Sequence, residues 1–164
     1  KFALPERQKI KDYSRGMRMK LSIAAALSHG SRLLILDEPT SGLDPVTRDE
    51  LLDILLDFIQ DEGHSVLISS HILSDLEKAC DYITFIHTGR VIFSEEKDEL
   101  LDKYVIAKGS VREISALDSD AVVGVRRGAF GSEALVERRP AGALTHERAS
   151  IEDIMLYYIK GDAK

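Results

Sequence analysis

Two rhythms of apolar positions alternate along the first half of this chain. Leu33, Leu34, Ile35 and Leu36 form an unbroken apolar run of strand length, which predicts a strand buried on both faces, as in a parallel sheet. Ser65–Ser70, read SVLISS, is a second short run of β-branched and apolar residues. Between them Leu51, Leu52, Leu55, Leu56 and Ile59 recur at helical spacing, with Asp49, Glu50, Asp53 and Asp57 interleaved and Gly63 as the stop. That spacing predicts a helix over 45–62. Strand, crossover helix and strand make a right-handed βαβ unit, so both strands run the same way. Upstream, Ser14 caps an Ala- and Leu-rich helical run (Leu21, Ile23 to Leu27) that ends at His29-Gly30.

Further along, Ile72, Leu73, Leu76 and Ala79 predict a helix over 72–79, with Cys80 as a packed core thiol. A hairpin follows, with strands at 81–86 and 91–93 around the turn His87-Thr88-Gly89-Arg90. The organisation then changes. An acidic helix from Glu95 to Lys103 carries Leu100, Leu101 and Tyr104 on its apolar face, and short strands are expected around 104–108, 122–126 and 134–138. Gly131 and the Pro140–Ala143 stretch read as turns. A last helix starts at Ser150, paired with Asp153 as a capping box, with Ile151, Ile154, Met155 and Tyr158 on one face. The pattern is α/β, a parallel sheet core with flanking helices over 1–94, followed by a small α+β extension over 95–164.

The candidate chemistry sits where the apolar runs stop. Open parallel sheets place their chemistry at the carboxyl ends of the strands. The first run ends in Asp37 and Glu38, and two adjacent acids can divide labour, one holding Mg²⁺ on a nucleotide and the other polarising an attacking water. Ser41-Gly42-Leu43-Asp44-Pro45 is a tight turn and helix start, with Asp44 as N-cap and Pro45 at the first helical position. The βαβ geometry brings His71, at the end of the second run, toward the acidic pair, whereas His29, His64, His87 and His146 read as surface or satisfied core residues. At Tyr13-Ser14-Arg15-Gly16-Met17, a serine hydroxyl and glycine-backed amides at a helix N-terminus offer an anion site.

Residues 33–45 resemble the Walker B strand and D-loop of the ABC ATPase family, His71 its H-loop histidine, and residues 13–17 its signature. The signature departs from the usual Leu-Ser-Gly-Gly-Gln at Tyr13, Arg15 and Met17, in a form that looks like the ABC-2-type exporter branch. Arg15, in place of the first glycine, either adds a cation near phosphate or points to solvent. The resemblance is close over residues 12–94 and looser in the tail. It implies a P-loop ATPase domain, with two subunits sandwiching two ATP molecules. In that arrangement Asp37 holds Mg²⁺, Glu38 is the general base for the attacking water, and His71 senses the γ-phosphate. Ser14 and Gly16 contact the phosphate held by the opposite subunit, and Ser41 and Asp44 communicate across the interface. Transmembrane permease subunits would be the partners, and the protein would sit in the cytoplasm against the inner face of the membrane. No Gly-x-x-x-x-Gly-Lys-Ser/Thr loop occurs in the sequence. The expectation is the C-terminal part of a longer ATPase subunit, inactive without its phosphate loop.

Composition narrows the classes. With a net charge of −6 over 164 residues the chain offers no broad basic surface, so no nucleic acid partner is expected. The Arg126-Arg127 and Arg138-Arg139 pairs, lacking interleaved aromatics, read as solvated strand ends. One cysteine forms no internal disulfide, and the apolar runs fall far short of a membrane span. The alternatives are a soluble ABC-type ATPase acting on ribosomes or DNA, or a non-hydrolysing regulatory or dimerisation module centred on 95–164. The run Glu38-Pro39-Thr40-Ser41-Gly42-Leu43-Asp44 favours transport.

Overall fold

The structure is a computed structural model that describes residues 2, 4–128, 131–138 and 144–161. The Pro140–Ala143 turn and Arg139 lie outside the described residues. The chain divides into two compact units, Lys1–Ala79 and Cys80–Lys164.

The first unit contains α1 (Arg15–Leu27), β1 (Leu33–Asp37), α2 (Pro45–Phe58), β2 (Ser65–Ser69) and α3 (Leu73–Ala79). β1 and β2 pair in parallel, Leu33 opposite Ser65 and Asp37 opposite Ser69, as the βαβ reading requires. Ile23 of α1, Leu34 of β1 and Leu51, Ile54 and Leu55 of α2 form the buried core, extended by Leu36, Val66 and Ile68. The expected burial of both strand faces does not hold. Leu33, Ile35 and Leu67 are 54%, 70% and 61% exposed, because α1 and α2 cover the face that carries Leu34, Leu36, Val66 and Ile68. The helix expected over 45–62 ends at Phe58. His64 stacks on the Phe58 ring at 4.3 Å and places Nδ1 3.2 Å from its carbonyl, closing the loop back to β2. Lys20 pairs with Glu50 between α1 and α2, and Lys78 bridges α3 to Asp49 and Asp53 of α2 at 2.5 and 3.0 Å.

The second unit begins with the hairpin of β3 (Tyr82–His87) and β4 (Arg90–Glu96), followed directly by α4 (Lys97–Lys103). Cys80 therefore lies beyond α3 rather than within a helical core. It is half-buried, and desolvation raises its thiol pKa. Glu95 and Glu96 belong to the strand, so the acidic helix starts later than its sequence suggests. A four-stranded antiparallel sheet follows in the order β6-β7-β5-β8, from β5 (Tyr104–Gly109), β6 (Val122–Gly128), β7 (Gly131–Glu137) and β8 (Thr145–Arg148). Tyr104 is thus the first residue of β5 rather than part of the helix. α5 (Val111–Ser115) caps one face, packing Ile114 over Val105, Ala107, Ala134 and Val136. α6 (Ile151–Lys160) buries Ile151, Ile154 and Tyr157, with Ser150 and Asp153 forming the expected capping box. On α6 Tyr157 is buried rather than Tyr158, which bonds its hydroxyl to that of Tyr104 at 2.9 Å. Within this second unit the hairpin is tied to α6, where Phe93 packs on Tyr158 at 5.7 Å.

Candidate functional site

The carboxyl ends of β1 and β2 bring together four side chains. The Asp37–Ser69 register sets the two strand ends side by side, and Ser69 donates its hydroxyl to Asp37 Oδ1 at 2.5 Å. Chain direction changes at Glu38, which has φ +47°. That left-handed conformation is uncommon for a residue with a side chain. It is held from the neighbouring strand, since the Glu38 N–H lies 3.1 Å from both the Ser69 carbonyl and the Ser69 hydroxyl. The turn swings the Glu38 carboxylate to 2.7 Å between its Oε2 and Nδ1 of His71. An ionised carboxylate only accepts, so Nδ1 carries the proton and, in the neutral ring, Nε2 is left as the acceptor. Both side chains remain reachable, 37% and 68% exposed for Glu38 and His71.

A second cluster forms where the turn after β1 meets the start of α1. Ser41 donates its N–H to the Glu38 carbonyl and Leu43 to that of Thr40, closing the turn. Asp44 accepts from the Thr47 N–H at 3.0 Å and caps α2. The Thr47 hydrogen bonds, backbone first, hold the Asp44 carboxyl below its usual range. Ser14 caps α1 in the same way, accepting from Met17 N–H at 3.1 Å. Gly16 is buried where α1 approaches α2: a Cβ there would lie 2.6 Å from Thr47 Cγ2. Gly42, at φ +69°, lies under the Arg15 side chain, and a Cβ would meet the guanidinium at 2.5 Å. Arg15 therefore packs along the turn that holds Ser41 and Asp44 while staying exposed.

The sequence-predicted residues thus fall into two neighbourhoods: Asp37, Glu38 and His71 at the strand ends, and Ser14, Arg15, Gly16, Ser41 and Asp44 around the turn. Ser69 was not among them, although it touches both acids. Its signal was the parallel register, which sets the residue opposite Asp37 and not the residue's own motif. Arg48 of α2 and Asp75 of α3, 3.9 Å apart with Asp75 only 4% exposed, tie the two helices together below this end. Among the described residues no group of three or more His, Cys, Asp or Glu side chains is arranged to hold a metal by itself. Mg²⁺ on a nucleotide takes one or two carboxylates and fills its remaining positions with phosphate oxygens and water. Asp37, exposed and engaged by Ser69 through only Oδ1 in the described contacts, has the right chemistry for such a ligand.

These features define a class: a parallel βαβ unit with an acidic pair at the strand end, a histidine on the acid and a capped glycine turn. The class agrees with known proteins. A family model described as "AAA domain, putative AbiEii toxin, Type IV TA system" matches residues 7–74. The lantibiotic transport ATP-binding protein SrtF of Streptococcus pyogenes is 45% identical over 93 residues, covering 57% of this chain and 40% of SrtF. The structure of cbiO1 from Clostridium perfringens, part of the ABC transporter complex cbiONQ, is 31% identical with a TM-score of 0.50, covering 55% of this chain and 36% of that one. The ATP-binding cassette MJ0796, in a dimeric post-hydrolysis state bound to ADP and phosphate, has a TM-score of 0.52 at 24% identity, covering 58% of this chain and 42% of that one, and shows the fold alone. The resemblance drawn from the motifs holds: the chain is similar to ABC transporter ATP-binding proteins, and the fold is that of part of an ABC ATPase domain. It spans about two fifths of the length of these relatives.

Proposed function

We propose that this chain is part of the ATP-binding, ATP-hydrolysing subunit of an ABC transporter of the exporter type. The observation that carries the reading is the Glu38–His71 hydrogen bond of 2.7 Å at the end of the parallel pair, with Asp37 one residue away. Glu38 acts as general base for the water that attacks the γ-phosphate. His71 orients it and places its second ring nitrogen toward the phosphate. Asp37 contributes to holding Mg²⁺, which neutralises charge developing on the phosphate oxygens when bound. Phosphoryl transfer rests on positioning and electrostatics, and the strand register supplies the positioning for these three groups.

The capped start of α1, with Ser14, Arg15 and Gly16, serves phosphate held by a second ATPase subunit, and Ser41 and Asp44 carry the state of one site across to the other. The exposed face of Leu33, Ile35 and Leu67 supports the placement in a larger domain. Parallel sheets are covered on both faces, so further elements of the intact subunit would pack there. Residues 1–94 form the ATPase part and residues 95–164 an accessory extension for subunit pairing or regulation. Among the described residues no helix is long and apolar enough to cross a membrane, and the span is supplied by permease subunits, with this subunit peripheral on the cytoplasmic face.

The test is Glu38→Gln in the intact subunit. Turnover should fall by roughly 10²–10⁴-fold, as loss of general-base catalysis implies, with nucleotide affinity kept and an ATP-bound dimer accumulating. Hydrolysis near the parental rate would overturn the assignment of Glu38.

A further inference from the structure

The helix that follows His71 is not seated by a buried apolar side chain. α3 has seven residues, too few for a helix to hold its place unaided, so its position comes from what it packs on. Among the described residues of α3, the one that is buried is a carboxylate, Asp75, 3% exposed. Its Oδ1 lies 3.9 Å from Nη1 of Arg48 on α2. Oδ2 of Asp75 and Nε of Arg48 are buried without a hydrogen-bond partner. Burying two charges costs their hydration, and two apolar side chains of similar volume would seat the helix as well or better. A charged pair kept in such a place points to a role other than stability.

The pair stands between two segments that meet at the acidic strand end. On one side is the start of α2, where the Asp44 side chain caps through Thr47 and the Asp44 carbonyl accepts from the Arg48 N–H at 3.0 Å. On the other side β2 ends at Ser69, which bonds Asp37 and the Glu38 N–H. Ser70 then turns the chain, its hydroxyl oxygen accepting from the Ile72 N–H at 3.0 Å, and the Ile72 carbonyl accepts from the Asp75 N–H at 3.1 Å. His71 lies inside this short loop, 68% exposed, with its ring bonded to Glu38. So exposed a ring gains little support from packing, and its place depends on the two ends of its loop. Ser69 holds the upstream end. Lys78 joins α3 to Asp49 and Asp53, but these contacts are exposed and weakened by solvent. The buried contact at the downstream end is Asp75 with Arg48.

We infer that Asp75 and Arg48 are positioning residues, whose buried pair fixes the loop of His71 against the first turn of α2 and so holds the imidazole on Glu38. Apolar contact is non-directional and lets a short helix slide or rotate, whereas a buried charge has one partner and one favourable placement. The inference rests on the assignment of Glu38 and His71 to the attacking water, and adds to it what keeps the two together.

The experiment reads the ring itself. The intact subunit, labelled with ¹⁵N in its histidine rings and free of nucleotide, is compared by nuclear magnetic resonance with its variants, the His71 signals being assigned by their loss in His71→Gln. The parental ring should carry its proton on Nδ1, as the bond to Glu38 requires. Arg48→Met/Asp75→Leu replaces the pair with apolar side chains and should keep or raise the unfolding temperature, yet release His71 to the mixed tautomers of an unheld imidazole. Its kcat should fall roughly 10–100-fold with KM for ATP little changed, as a small misplacement of a reacting group implies. Arg48→Gln, at a side chain 29% exposed, removes the charge with less disturbance and should move the ring the same way by a smaller amount, and Arg48→Lys should stay nearer the parent. Lys78→Ala should leave the ring as it was. A parental ring without a proton on Nδ1 overturns the inference. So does an unmoved ring in either folded variant, a shift in Lys78→Ala as large as in the double variant, or a released ring with unchanged kcat. The assignment beneath it fails differently, through parental turnover in Glu38→Gln.

Discussion

Replacing Gly16 by Ala tests how the start of α1 is built. Gly16 is buried at the second position of α1, and its missing Cβ would sit 2.6 Å from Thr47 Cγ2 and 3.5 Å from Thr47 Oγ1. Carbon atoms in contact normally rest about 3.5–4.0 Å apart, so the added methyl requires a displacement of about an ångström. Thr47 cannot supply it easily, since a β-branched side chain in a helix has few χ1 choices. One helix N-terminus must move against the other. Overpacking of this kind costs about 1–3 kcal/mol, against a gain of up to about 1 kcal/mol from replacing glycine by alanine in a helix. With the full gain the net expectation is a loss of between about 0 and 2 kcal/mol, and for a unit of this size each kcal/mol lowers Tm by about 4–8 °C.

Thr47→Ser removes only the offending methyl and keeps the N–H that caps on Asp44. In that background Gly16→Ala should become neutral or stabilising, so a double-mutant cycle should show a coupling of about 1–2 kcal/mol. Thermal unfolding followed by circular dichroism measures both. Equal losses in the two backgrounds would refute the contact as the reason for glycine at position 16.

Asp44 has a folded pKa below its ordinary value because Thr47 donates to its carboxylate. Its contribution to stability is therefore present above the unfolded pKa and lost as pH falls through the folded one. Asp44→Asn keeps a capping oxygen but should flatten the acid limb of the stability profile; an unaltered limb in urea titrations below about pH 4 would count against the cap. Ser69→Ala removes the hydroxyl that meets both Asp37 and the Glu38 N–H. It should cost about 1 kcal/mol in stability while reducing turnover of the intact subunit well beyond what that loss explains, and a fall in stability with turnover intact would make Ser69 a strand-end contact only.

Much of the first unit was legible because its signals are local. A serine or aspartate before a helical rhythm caps its own N–H groups, so Ser14, Asp44 and Ser150 appear in the structure as read. The parallel pairing of β1 and β2 followed from the handedness of one crossover. Two elements of the tail carried signals that were not used. Ser110 and Glu113 form a capping box that starts α5, and β8 is a short exposed strand whose place is set by pairing with β5.

What the sequence alone determined is therefore the order and type of the elements and the chemistry at their ends: the acidic pair, the histidine, the glycine turn. Tertiary structure decided which residues share that chemistry. Ser69 joined the site because Asp37 lies opposite it, Arg15 came to rest along Gly42 because α1 docks on the turn, and Leu33, Ile35 and Leu67 stayed exposed because the helices cover the other face. Periodicity and capping depend on neighbours within a turn or two of the chain, whereas register and docking depend on groups that meet only after the chain has folded back on itself.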